Sequence, residues 1–191
     1  MSSIKSYVSQ AIQFFRENEE LLTEFGFFDK NVSVYTLNSL REYYGASLSF
    51  FFRSGIARVC VIDRNKDFVI KRNINANAGS TYSCEKEYEN FLNLDARFSH
   101  LFVAIEKFTF NNITFYVEEK VNPMYDRMDD FPEWNFSSFY DTYDTADFLT
   151  SCGLIDDEEA EYLVENFEDI HDENCGWRIG TNEWVVFDYS D

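Results

Sequence analysis

Apolar residues at helical spacing open the chain. Ile4, Tyr7, Val8, Ala11, Ile12, Phe15, Leu22 and Phe25 recur at about 3.6-residue spacing and Gly26 comes next as a natural stop, which predicts one amphipathic helix over residues 4–25. Such a helix packs on the neighbouring elements of its own chain or docks on a partner. Another short helix is predicted over 37–44, ahead of Gly45. From residue 47 the pattern turns to short β-rich runs over 48–53, 57–62 and 67–71, broken by the turn segments Ser54-Gly55 and Asp63-Arg64-Asn65-Lys66. Residues 81–94 read as a helix with Cys84, Tyr88, Phe91 and Leu92 on one side. A hairpin over 102–110 and 113–121 is expected around Asn111-Asn112, after which Asn122-Pro123 marks the best boundary in the chain. Two acidic amphipathic helices, over 136–149 and 156–167, and a hairpin over 176–179 and 184–187 complete the order. No internal repeat or low-complexity tract interrupts it.

Composition narrows the class. With 191 residues, 45% of them hydrophobic, and with 21 Phe, 12 Tyr and 3 Trp, the chain can bury a substantial core and is not expected to be disordered. The formal charge of -19 is unevenly placed: residues 1–125 hold 14 basic and 15 acidic side chains, residues 126–191 hold 2 and 20. Direct nucleic-acid binding through a basic face and docking on anionic lipid are therefore not expected. No run approaches the roughly 18 apolar residues of a membrane span, and Met1-Ser2-Ser3-Ile4-Lys5 starts no apolar signal core, so a cytoplasmic protein is expected. Cys60, Cys84, Cys152 and Cys175 lie far apart without paired metal spacing and read as free thiols.

Candidate chemistry gathers near the end. Asp169-Ile170-His171-Asp172-Glu173-Asn174 is followed by an apolar hairpin that ends Val185-Val186-Phe187-Asp188. A carboxylate, an Asn five residues later and a second carboxylate beyond the next hairpin form a set suited to phosphoryl transfer. One Asp orients the attacking hydroxyl, while the Asn and the second Asp hold Mg²⁺ on the phosphates. Upstream, Val69-Ile70-Lys71 supplies a strand lysine, and Glu87, or alternatively Glu85, supplies a helical carboxylate. Taken singly, each residue also suits a plainer role: Lys71 a strand end, Asp169 and Asp172 a solvated face, Asn174 a turn, Asp188 an exposed tail.

In that order and spacing, the sequence over about residues 46–190 resembles the eukaryotic-type protein kinases, and in particular short phage-encoded serine/threonine kinases of host takeover. The resemblance implies an α+β, two-lobed kinase-like fold. Residues 1–45 would form a helical extension, 46–122 a small lobe with a five-stranded antiparallel sheet plus a helix, and 123–191 a truncated, mostly helical, acidic large lobe. It also implies ATP and Mg²⁺ as cofactors. Lys71 would contact the α and β phosphates, steadied by Glu87, and Gly55, Val59, Glu119 and Val121 would line the nucleotide site. Asn174 and Asp188 would bind the metal, and Asp169, with His171 nearby, would serve the acceptor hydroxyl. Several positions depart from the family pattern: Phe167 stands where a His is usual, His171 where a Lys is usual, and Tyr189-Ser190 come directly after Asp188.

The charge supports a second, non-enzymatic expectation. Asp141, Asp144, Asp147, Asp156, Asp157, Glu158, Glu159, Glu161, Glu165 and Glu168 could imitate a phosphate ladder and occupy the cleft of a host or defence protein with a basic surface. The same residues also suit a solvated face that keeps the protein soluble.

Overall fold

Alternating apolar residues in the strands and apolar stripes on the helices must be buried against something, and the chain buries them in two units. A computed structural model describes residues 4–37, 39, 48–54, 57–75, 83–124 and 141–189. One unit comprises Met1–Tyr88 and Ala104–Lys120, the other Glu89–Val103 and Val121–Asp191. The architecture is α+β, with a five-stranded antiparallel sheet, helices and a small three-stranded sheet. Among the described residues no helix is long and apolar enough to cross a membrane.

In the first unit the predicted opening helix is two: α1 (Ile4–Glu17) and α2 (Glu19–Glu24). The break falls at Asn18, whose side chain donates to the Phe14 carbonyl at 2.9 Å and so competes with the backbone ladder. Gly26, at φ +69°, ends α2: its N–H reaches the Thr23 carbonyl, and that of Phe27 reaches Leu22. Of the helix predicted over 37–44, only residues 37 and 39 are among the described ones, and both are helical. Strands β1 (Phe50–Ser54), β2 (Arg58–Asp63), β3 (Phe68–Asn73), β4 (Ile105–Phe110) and β5 (Ile113–Glu119) form the sheet in the order β1-β2-β3-β5-β4. Asn111 and Asn112, at φ 48° and 60°, make the two-residue turn that lets β4 and β5 keep their twist. The expected strand over 102–110 starts only at Ile105.

One face of the sheet buries Phe50, Phe52, Val59, Val61, Phe68, Ile70, Phe108, Phe115 and Val117 against Ala11, Phe14, Phe15 and Leu22 of α1 and α2. Phe15 meets Phe27, Phe28, Phe108, Phe110 and Phe115 at ring-centroid distances of 4.7–6.0 Å. Each such pair adds about 0.5–1.5 kcal/mol to the area it buries, which gives the high Phe content a structural cause. Because side chains alternate along a strand, Cys60, Lys71, Tyr116 and Glu118 lie on the opposite face. Helix α3 (Cys84–Asn93) comes after β3 in sequence.

In the second unit, β6 (Val121–Pro123), β7 (Cys175–Arg178) and β8 (Trp184–Val186) pair in that order, all antiparallel. Asn122-Pro123, expected as a boundary, lie in strand β6, just past Lys120 where the first unit ends. Proline is tolerated there because β6 is an edge, where a missing donor costs no ladder bond. Gly176 faces Pro123, and a Cβ on it would meet the Asn122 carbonyl oxygen at 2.3 Å, so the close approach of β6 and β7 requires glycine. Helix α4 (Thr142–Ser151) begins at Asp141, whose carboxylate accepts the Asp144 N–H; residues 136–140 of the predicted helix lie outside the described ones. Helix α5 (Asp157–Asn166) starts with a full capping box between Asp156 and Glu159. Phe98, Phe102, Tyr162, Phe167 and Tyr189 form the aromatic centre of this unit.

Candidate functional site

Strand β3 carries Lys71 between Cys60 of β2 and Tyr116 of β5. Its side chain is almost wholly buried, and its Nζ lies 3.0 Å from Glu87 Oε1 and 2.8 Å from Glu118 Oε2. The other oxygen of Glu87 meets Arg58 Nη1 at 3.2 Å. Two cations and two carboxylates therefore offset one another in a water-poor setting, where any one of them left alone would be costly.

The start of α3 is what brings Glu87 to Lys71. Asn73, at the end of β3, accepts the Cys84 N–H at 2.8 Å, and Ser83 Oγ accepts the Lys86 N–H at 3.2 Å. This phase buries Cys84 and Glu87 and leaves Leu92, expected on the apolar side, exposed. Glu85, the alternative partner in sequence, turns to Lys107 at 2.7 Å and to the Tyr116 hydroxyl. Hydrogen bonds from Lys107 and Tyr116 hold the Glu85 carboxyl below its ordinary range, whereas burial and the bond to Glu85 push the Tyr116 phenol well up. Burial pushes the Cys60 thiol up to about 12 despite the opposing charge of Lys71, and raises Cys84 for the same first reason.

Val59 belongs to the aromatic core on the face opposite Lys71, so alternation gives its neighbour Cys60 to the Lys71 face. Glu119 ends β5, paired with Phe68, and Val121 starts β6, paired with Arg178. Gly55 lies outside the described residues. Sequence patterns do not single out Arg58 and Glu118 as site residues. Their only signal is the strand register, which no local pattern shows.

In the second unit Asp169, His171 and Asn174 form one local cluster. Asn174 Nδ2 donates to the Asp169 carbonyl at 2.7 Å and lies 3.2 Å from His171 Nε2. His171 Nδ1 accepts the Glu173 N–H at 3.3 Å, and the ring lies 3.8 Å from a carboxylate oxygen of both Asp169 and Asp172. Asn174 directly precedes β7. Because Cys175 pairs with Val186, the Phe187 N–H reaches the Asn174 carbonyl at 2.9 Å, and Asp188 is the next residue.

Asp188 is not part of a loose tail. Tyr189 is buried, its hydroxyl donates to the Val103 carbonyl at 2.6 Å, and its own carbonyl accepts from Asn90 Nδ2 at 2.8 Å. Phe167 and Tyr189 are in ring contact at 6.5 Å and both meet Phe102, so the two side chains fill an aromatic core.

The donor types are of the kind that the implied cofactors take. A buried lysine suits phosphate oxygens as a point charge. Asn174 and Asp188 offer the hard oxygen donors that Mg²⁺ prefers, with nucleotide phosphates completing such a shell. Among the described residues no group of three or more His, Cys, Asp and Glu could hold a metal without such help. No protein-family model matches this chain, and no curated protein matches it.

Proposed function

We propose that this chain is a kinase-like protein that binds ATP with Mg²⁺ and transfers the γ-phosphate to a serine or threonine hydroxyl, in the manner of short phage-encoded kinases. Lys71 contacts the α and β phosphates, and Glu87 keeps its ammonium in place. Asn174 and Asp188 hold the metal, which neutralises charge on the phosphates. Asp169 accepts the proton of the acceptor hydroxyl, with His171 steadying the loop that carries it. A kinase-like large lobe and the nucleotide-lining roles of Glu119, Val121 and Gly55 belong to the same proposal. The observation that carries it is the buried 3.0 Å pair between the lysine of the third strand and a glutamate of the helix after it. Its second support is the hairpin that sets Asn174 beside the backbone leading to Asp188.

The test is titration calorimetry with ATP in the presence and absence of Mg²⁺, paired with thermal unfolding. A ligand that binds the folded state alone stabilises it by RT ln(1 + [L]/Kd). Metal-dependent binding that is lost in Asp188→Asn and Asn174→Ala supports the proposal. Binding unchanged by both substitutions, or no binding at all, ends it.

The exposed carboxylates of the second unit favour one further role. Asp144 and Asp147 on α4, and Asp157, Glu158, Glu161 and Glu165 on α5, all face solvent. Such a surface would displace counterions from a basic nucleic-acid-binding partner of host or defence origin. Capture of such a partner that fails at moderate salt, and fails with Glu158→Gln and Glu161→Gln together, supports it. Capture indifferent to salt and to those two substitutions overturns it.

A further inference from the structure

A strand lysine that serves phosphates needs one carboxylate to steady it; Lys71 has two. Glu87 and Glu118 approach its Nζ at 3.0 and 2.8 Å, and the side chains of all three are at most 7% exposed. The carboxylates are not equivalent. Glu87 is also bound to Arg58, so a cation on each side holds it, and it sits on a helix whose first turn is tied to Asn73. Glu118 comes from β5, two residues beyond Tyr116, the cross-strand neighbour of Lys71. Arg58, Lys71, Glu87 and Glu118 together sum to zero formal charge. A polyphosphate arriving at Lys71 brings at least two more negative charges, and a poorly hydrated cluster does not take up such an excess unless one carboxylate gives way.

We infer that Glu118 is the gate of the phosphate site: it occupies the Lys71 ammonium until a phosphate oxygen displaces it, and so sets how tightly the chain takes a nucleotide. This rests on Lys71 being the phosphate contact. Glu118 acts through Lys71 and is an affinity-determining residue, not a catalytic one. The gate also disfavours a bare polyanion against one already neutralised by a divalent cation, because the displaced carboxylate and the phosphates repel each other.

The experiment is calorimetric titration of the full chain with ATP, with and without Mg²⁺, for the unaltered protein, Glu118→Gln and Glu118→Asp. Gln keeps the volume and one acceptor oxygen of the carboxylate while removing its charge. Asp keeps the charge but withdraws it by one methylene, which provides a second variant if the first folds poorly. Expected are a Kd about tenfold lower in Glu118→Gln, a smaller tightening in Glu118→Asp, and a weaker requirement for Mg²⁺ in both. The Glu118→Gln, Lys71→Met double variant leaves Arg58 and Glu87 as a balanced pair and should lose the gained affinity. Metal-dependent binding by the unaltered chain that is equal or weaker in both Glu118 variants overturns the gate and leaves the nucleotide site standing. Absence of binding in every form overturns both.

Discussion

Asn73 at the end of strand β3 and Cys84 at the start of helix α3 are joined directly: the Asn73 carboxamide oxygen accepts the Cys84 N–H at 2.8 Å. Lys71 lies two residues before this bond and Glu87 three residues after it. The bond therefore sets the helical phase that turns Glu87, and not Glu85, toward the lysine. An unsatisfied N–H at a helix start is a common cost of helix formation, and here the preceding strand meets it.

Replacing Asn73 by Ala should cost about 1 kcal/mol, the usual loss of a capping side chain. Urea unfolding measures it, and a change within error would show that the bond contributes nothing to the helix start. Its second expected effect is slackening of the Lys71–Glu87 pair, visible as faster amide exchange in the first turn of α3.

Lys71→Met should be far more damaging, at about 3–5 kcal/mol, because it leaves Glu87 and Glu118 buried with one cation, Arg58, in the cluster. Adding Glu118→Leu restores the charge balance and should recover about half of that loss or more. Denaturant midpoints of the two single variants and the double variant form the cycle. Simple additivity would mean that the two side chains do not interact.

Arg72 occupies the other face of β3. It is buried, donates to the carbonyls of Phe27, Asp29 and Lys30, and lies over the rings of Phe27 and Phe115. Burial draws its guanidinium down to about 10. A lysine has no planar fork to span three carbonyls, so Arg72→Lys should lose about 2–3 kcal/mol although the charge is kept. A loss below about 0.5 kcal/mol would show that water replaces the lost bonds without cost.

Stability should also fall in alkali. Burial raises Cys60 from 9.0 to about 12 and raises Cys84 and Cys175 as well, so above pH 9 the unfolded chain releases protons that the folded chain retains. With the folded pKa above the unfolded one, the contribution is complete below pH 9 and is lost as pH rises toward 12. The Cys60 thiol should cost up to about 1.4 kcal/mol per pH unit in that window. Unfolding midpoints of Cys60→Ala against the unaltered chain test it: the variant should show the shallower decline, and identical slopes would remove Cys60 from the account.

Much of the local structure is written in short-range chemistry. The Asn111-Asn112 turn, the Asp156 and Glu159 capping box and the Gly26 helix stop each depend on neighbours within a few residues, so the strands, hairpins and acidic helices could be read before any coordinates. Local signals failed where a distant partner decided. Asn18 splits the first helix, Pro123 is taken into an edge strand, and Leu92 is left in solvent by the phase of α3.

The same division holds for the candidate site. The sequence alone supplied the inventory: a strand lysine, two helical glutamates, and an Asp, an Asn and an Asp spaced by a hairpin. Only the tertiary structure decided that Glu87 takes the lysine while Glu85 takes Lys107 and Tyr116, that Val59 faces the aromatic core, and that Glu118 stands at the Lys71 ammonium. The physical reason is that strand register and helix rotation are set by packing over long sequence separations. A slip of one residue in either would exchange which side chain is buried beside the lysine and which is turned away.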